Sequence, residues 1–149
     1  MPKHISYIED FESWISDFKF FIPVRVRFSE TDLFGHVNNT VPFIYFEQAR
    51  IEFLKSVNVL FDLTHADPQY VPVVADLQCD FLKEMFFNDD LKVYVKAARI
   101  GTSSVDLHYL ITREDDICAT GRGTLVKINK QTGKSAPWTD EERERLQKG

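Results

Sequence analysis

The stretch Ser29-Glu-Thr-Asp-Leu-Phe-Gly-His-Val-Asn-Asn39 sets the acid Asp32 near a glycine and a histidine, His36, just ahead of a helix start marked by Asn38, Asn39 and Thr40. A helix N-terminus carries unsatisfied backbone N–H groups and a partial positive charge, so it can polarise a carbonyl or hold an anion. A carboxylate beside such a site provides what acyl transfer requires. One group attacks or activates water, and fixed donors stabilise the developing oxyanion. A neutral imidazole both donates and accepts, so His36 suits two roles: orienting Asp32 or water, or bonding loop carbonyls as a structural histidine. A polar loop leading into an N-capped helix accounts for the same spacing, and on spacing alone the two readings stand level.

The other reactive side chains carry less. Cys79 and Cys118 sit in strand-like segments outside any CxxC or Cys/His cluster, and read as reduced core thiols. His4, His36, His65 and His108 show no metal-ligand spacing. Glu47 and Arg50 are three apart in a helical pattern, so an ion pair is their simplest account. Ser103 and Ser104 lie at a turn, with no Ser–His–Asp arrangement to be argued.

These groups must be positioned by a chain of 149 residues, 44% apolar and with 13 phenylalanines, which reads as one domain with a real core rather than a disordered chain. The net charge of −5, with no basic run, argues against nucleic acid and anionic membrane surfaces as partners, though not against a small anionic ligand. No basic N-region with an apolar core and no span of about 18 apolar residues occurs. A cytoplasmic protein is expected.

Ile5, Ile8, Phe11, Ile15 and Phe18 recur at helical steps, which predicts an amphipathic N-terminal helix within residues 1–20. A strand over Phe21 to Phe28 follows, then the Asp32 loop. From about Thr40 to Ser56, Phe43, Phe46, Ala49, Phe53, Leu54 and Val57 form an apolar stripe that Ile44, Tyr45 and Ile51 widen. Glu47, Gln48, Arg50, Glu52 and Lys55 leave only a narrow polar face, so this helix is expected to be buried. Asn58 to Gln69 reads as loop. Period-two alternation then predicts strands over Val71–Leu82, Leu91–Ile100, Ser103–Thr112 and Ile117–Ile128, joined by antiparallel turns. Thr139-Asp-Glu-Glu142 is a capping box opening a C-terminal helix over residues 138–149. The fold class is α+β: an antiparallel sheet around one long helix.

That order of elements resembles the hotdog fold. Asp32-Leu-Phe-Gly-His-Val-Asn-Asn39, Tyr45-Phe-Glu47 and Ala49-Arg-Ile-Glu-Phe-Leu54 resemble the 4-hydroxybenzoyl-CoA thioesterase branch of the hotdog acyl-CoA thioesterases, over roughly Phe21 to Asn129. Asp80-Phe81, the Ile100-Gly-Thr-Ser-Ser104 turn and the Gly121 strand fit the same pattern. The resemblance implies hydrolysis of an acyl-CoA to acid and CoA without metal or redox cofactor. It places the catalytic carboxylate, as nucleophile or general base, on Asp32, and the polarising backbone N–H near Asn39.

The His36-Val-Asn-Asn39 run is closer to plant-type acyl-carrier-protein thioesterases, in which an asparagine two residues after the acid joins the histidine; here that position is Phe34. An acidic protein must gather cations for the phosphates of CoA, and Lys83, Arg99, Arg122 and Lys127 are the strand-borne candidates. The resemblance also implies a homodimer or homotetramer with the acyl pocket between subunits. The alternatives are an acyl-carrier-protein thioesterase, a non-catalytic acyl-CoA-binding module and a hotdog hydratase. The module would not need Asp32, and the His/Asp pattern expected of the hydratase is absent.

Overall fold

The computed structural model describes residues 4–60 and 68–149. The alternating second half folds into β4 (Asp90–Ile100), β5 (Ser104–Arg113) and β6 (Asp116–Asn129), each antiparallel to the next. β1 (Phe20–Arg25) pairs with the far side of β4, and β2 (Tyr70–Val74) and β3 (Gln78–Phe81) share the far edge of β6. This six-stranded sheet curls round α2 (Val41–Val57), the hotdog arrangement expected from the sequence. Val93, Val95, Leu107, Tyr109, Ile111, Ala119 and Leu125 line the buried face of the sheet, and Phe46, Ala49, Phe53 and Leu54 of α2 press against it. Phe46 stacks on Tyr109 at 4.5 Å between ring centroids. Its ring passes over Gly121, where an added Cβ would lie 2.5 Å from it, so the absence of a side chain sets how deep the helix sinks.

Four expectations are corrected. The stretch read as one strand over Val71–Leu82 is two, because the pairing register with β6 shifts by one residue between Val74 and Gln78. At the break the Asp76 carboxylate accepts the Thr124 N–H at 2.7 Å and Arg122 at 3.2 Å, taking the place of a ladder carbonyl. The N-terminal helix is only α1 (Phe11–Ser16). Ile5 and Ile8 lie in a turn before it, buried with Trp14 and Leu110 on the outer face of the sheet. Ile44, counted in the apolar stripe, is exposed, and Arg50, assigned to the polar face, is buried. Arg50 donates to the Tyr109 hydroxyl at 3.2 Å instead of pairing with Glu47. Arg50 turns toward the sheet, where the tyrosine hydroxyl accepts it, while Glu47 stays on the exposed side of the helix. Of the Asn58–Gln69 loop, residues 61–67 lie outside the described residues; Asn58 ends α2 in the left-handed conformation.

The capping box holds as read: Thr139 and Glu142 bond reciprocally and open α3 (Asp140–Lys148). Glu142 also accepts Lys127 at 2.6 Å, while the Lys127 amine contacts the Pro137 carbonyl at 3.2 Å and faces the Tyr70 ring. Lys127 is therefore buried structure, not a ligand cation. On the outer face, Trp14 donates to His108 Nδ1 at 2.8 Å, His108 Nε2 meets Asp106 at 2.9 Å, and Asp106 accepts Arg122 at 2.9 Å.

Phe46→Ala or Phe53→Ala, each emptying a fully buried site, should lower unfolding free energy by about 3–5 kcal/mol in urea titration. Burial opposes ionisation of Asp106, but the bonds from His108 and Arg122 outweigh it and hold its pKa below the ordinary carboxylate value. A depressed folded pKa gives stability that is complete above the unfolded pKa and lost as pH falls through the folded one. Asp106→Asn should therefore cost about 1.5–3 kcal/mol near neutrality, and the gap from the parent should close in urea titrations carried out well below the usual carboxylate pKa.

Candidate active site

Between β1 and α2 the chain makes a one-turn 3-10 helix (Phe28–Glu30) and then a tight turn centred on Asp32. Asp32 Oδ1 accepts the Phe34 N–H at 2.9 Å and the His36 N–H at 3.1 Å. The Asp32 N–H donates to the His36 carbonyl at 2.7 Å, and its own carbonyl accepts the Gly35 N–H at 3.1 Å. Gly35 at φ +82° makes the reversal, a conformation that costs glycine nothing. The turn thus grips one carboxylate oxygen through the main chain and leaves Oδ2 without a partner among the described residues. It also pushes Leu33, 100% exposed, and Phe34, 81% exposed, into solvent.

Glu30 ties this turn to α2. Its carboxylate accepts the Arg27 N–H at 2.8 Å and the Tyr45 hydroxyl at 2.9 Å, and its carbonyl accepts the Asn38 N–H at 2.8 Å. Burial, with the Glu30 carboxylate beside it, raises the Tyr45 pKa well above the ordinary value. Asn38 then takes the Thr40 N–H and hydroxyl on its side chain, both at 3.0 Å, and the Val41 N–H on its carbonyl at 2.9 Å. Thr40, the residue before α2, makes no side-chain cap, and Pro42 lies in the first turn. The Asn39 N–H has no acceptor among the described residues. The positive end of the α2 dipole therefore has an open donor beside Asp32.

The opposite wall is the irregular stretch Leu82–Asp89. The Val37 N–H donates to the Met85 carbonyl at 2.7 Å, and the His36 ring packs edge-on against Phe86 at 5.2 Å. His36 Nε2 lies 3.2 Å from Glu84 Oε2. Its backbone, not its ring, contacts Asp32. These walls enclose a cavity of about 280 Å³ lined by Asp32, His36, Asn39, Lys83, Glu84 and Met85, among others. On its other side Asp32 faces an open groove of about 630 Å³ lined by Phe28, Leu33, Phe34 and Asn38.

Of the expected site residues, Asp32, His36, Asn39 and Lys83 share the first cavity. Arg99 and Arg122 line a separate hollow of about 320 Å³ with Ser104, Asp106 and Thr124, where Asp106 and Asp76 pair with Arg122. Lys83 pairs with Asp116 at 2.7 Å. Among the described residues, no three His, Cys, Asp or Glu side chains converge to hold a metal ion, and no helix is long and apolar enough to cross a membrane. Sequence reasoning missed Glu30, Tyr45 as a hydrogen-bond donor, and Glu84. Only the placement of Glu30 at the start of the motif stretch and of Tyr45 one turn into α2 could have suggested the first two. Glu84 lies two residues past the expected strand Val71–Leu82, and nothing in its spacing marks it.

A family model described as the thioesterase-like superfamily matches residues 26–146. The chain belongs to the thioesterase-like superfamily. An uncharacterised protein of Bacillus subtilis, YsmA, is 45% identical over 143 residues, covering 95% of each chain. The structure is similar to that of a predicted thioesterase from Bacillus stearothermophilus, with TM-score 0.75 and 31% identity over 85% of this chain and 92% of that one. It is similar also to a Thermus thermophilus thioesterase complexed with coenzyme A and zinc, with TM-score 0.72 and 32% identity over 85% and 90%. Family membership supports thioester hydrolysis as the class of reaction.

Tyr45→Phe removes one donor from Glu30 and leaves the packing of α2 intact. It should lower stability by about 1 kcal/mol in urea titration.

Proposed function

We propose that this thioesterase-superfamily chain hydrolyses an acyl-CoA thioester to the free carboxylic acid and CoA. The observation that carries this reading is one cavity lined by both Asp32, whose Oδ2 has no partner among the described residues, and Asn39, whose N–H at the start of α2 has no acceptor among them. The thioester carbonyl oxygen would accept the Asn39 N–H and gain from the helix dipole as negative charge develops on it. Asp32 Oδ2 would attack the carbonyl carbon or take the proton of a water that does. If Asp32 attacks, the C–S bond breaks to give a mixed anhydride on Asp32. Water then hydrolyses it to the free acid and the regenerated carboxylate, with a proton of that water passing to the CoA thiolate. If water attacks, the C–S bond breaks to give the acid directly, and the proton held by Asp32 passes to the leaving thiolate. No metal or redox cofactor has a part in this scheme. His36 acts beside Asp32, held near Glu84. Lys83, which pairs with Asp116, would have to exchange that partner to hold a phosphate of CoA at this cavity, and Arg99 and Arg122 are candidates in a separate hollow. CoA as the thiol carrier is supported by its presence in the similar Thermus thermophilus enzyme.

The acyl group is assigned to the groove of Phe28, Leu33 and Phe34. Phe28 is 75% exposed, and apolar surface of this extent beside a site supports a homodimer or homotetramer in which a neighbouring chain covers the groove. A cytoplasmic location belongs to the same proposal; among the described residues no helix is long and apolar enough to cross a membrane.

Free-thiol release from a panel of acyl-CoAs, acetyl to palmitoyl plus aromatic esters, tests the reading, with acyl-carrier-protein substrates run in parallel. Faster turnover on the carrier protein would transfer the reading to that thiol carrier. Binding of acyl-CoA without thiol release would make the chain a non-catalytic module. Asp32→Asn should keep the fold and substrate binding but lower kcat by about 10²–10⁴-fold if Asp32 is the base, and by more if it is the nucleophile. Unchanged kcat would remove Asp32 from the mechanism. His36→Ala should be milder, because Phe34 replaces the asparagine that would partner it.

A further inference from the structure

The cavity wall Leu82–Asp89 has no helix or strand of its own, yet it carries Lys83, Glu84 and Met85. Its first residues hang from β6, where the Leu82 and Lys83 N–H groups both donate to the Cys118 carbonyl. Its far end is tied to Val26, whose N–H donates to the Asp89 carbonyl and whose carbonyl accepts the Asn88 N–H, both at 3.0 Å, and the stretch between is held by a side chain outside the cavity. Arg113, the last residue of β5, donates from Nη1 to the Glu84 carbonyl at 2.8 Å and to Asp89 Oδ2 at 2.9 Å. Its Nη2 reaches Asp116 Oδ2 at 3.4 Å. Both carboxylates reach back to the wall: Asp116 Oδ1 takes Lys83 Nζ at 2.7 Å, and Asp89 Oδ2 takes the Phe86 N–H at 2.8 Å. The Arg113 side chain is partly buried, with an exposure of 23%.

One peptide beyond the Glu84 carbonyl lies the Met85 carbonyl, which accepts the Val37 N–H of the catalytic loop at 2.7 Å. Phe86, fixed by Asp89, bridges to His36. We propose that Arg113 is a positioning residue for the reaction: from behind the wall it braces Glu84–Phe86 and, through Met85 and Phe86, sets the Asp32–Val37 loop relative to the start of α2. A planar fork can hold a carbonyl and two carboxylates at once, whereas a lysine amine reaches them only in part. The catalytic effect rests on the thioesterase reading above; the bracing does not.

The test uses Arg113→Met and Arg113→Lys in the full-length protein. A control, Arg145→Met, breaks the Arg145–Glu141 pair on α3 and the Arg145 bond to the Asn58 carbonyl at the C-terminal end of α2, the end away from the Asp32 loop. Three quantities are measured: kcat and KM on the best substrate of the panel, amide hydrogen exchange at Val37 by NMR, and the melting temperature. Arg113→Met should lower kcat by about 10–100-fold at temperatures well below its melting point, because small misplacements of reacting groups are costly. KM should stay within a few-fold, and the Val37 amide should exchange faster while amides of β4 do not. Arg113→Lys should recover part of kcat, and Arg145→Met should change neither kcat nor Val37 exchange. If Arg113→Met does not fold, Arg113→Lys carries both readouts. Unchanged exchange at Val37 overturns the proposal, and so does faster exchange with kcat within two-fold of the parent. A parent without thioester hydrolysis on any substrate would sink the proposed function instead, and Val37 exchange would then decide the bracing by itself.

Discussion

The close approach of α2 to the sheet at Gly121 is the constraint on which the site depends. A helix with phenylalanines on its inner face can descend onto β6 only where the strand has no side chain, and there Phe46 lies flat on Tyr109. Arg50, one turn along, reaches the same Tyr109 hydroxyl. The tyrosine therefore anchors the helix by both stacking and a buried hydrogen bond. With the depth of α2 fixed, the height of its first turn is fixed too, and the Asn39 N–H comes to the level of the Asp32 loop. Packing in the middle of the domain in this way decides the geometry of a donor at its rim.

The site is organised by main-chain groups more than by charges. Asp32 is oriented by two amides, the loop is joined to α2 through the Glu30 and Asn38 carbonyls, and the opposite wall meets it through the Met85 carbonyl. The charged side chains nearby are mostly engaged elsewhere, Lys83 with Asp116 and Arg113 with Asp89 and Asp116. Such an arrangement keeps dipoles fixed while charge develops in a reaction, so little reorganisation is needed at that moment.

Much of this was legible from residue order, for identifiable reasons. Period-two alternation located β4, β5 and β6 closely because each packs one face on the core and leaves the other outward. The capping box at Thr139 is a local interaction and survives in the fold as written. The break between β2 and β3 was hidden because its cause, Asp76 bonding to Thr124 and Arg122, joins positions far apart in the chain. Helical spacing at Ile5 and Ile8 misled for a related reason: their burial against Leu110 is a tertiary contact that imposes no helical period. At the site, Asp32, His36 and Asn39 were visible as a contiguous motif, and Lys83 only as one of four candidate cations whose place the sequence did not tell apart. Glu84 and Arg113 were not, since their relation to the motif exists only once β3, β5 and β6 are folded together.

The Asp32 turn keeps its shape through main-chain bonds and Gly35, while the exposed side chains at its tip, Leu33 and Phe34, take no part in those bonds. Orientation of the acid and the character of the adjoining groove are thus written at different positions of a single turn. Exchange of Leu33 or Phe34 for residues of other size can reshape what the groove accepts while leaving the carboxylate where it is. Under the proposed hydrolysis, a fold with this separation can drift among related substrates by single steps, without passing through intermediates whose acid has lost its aim.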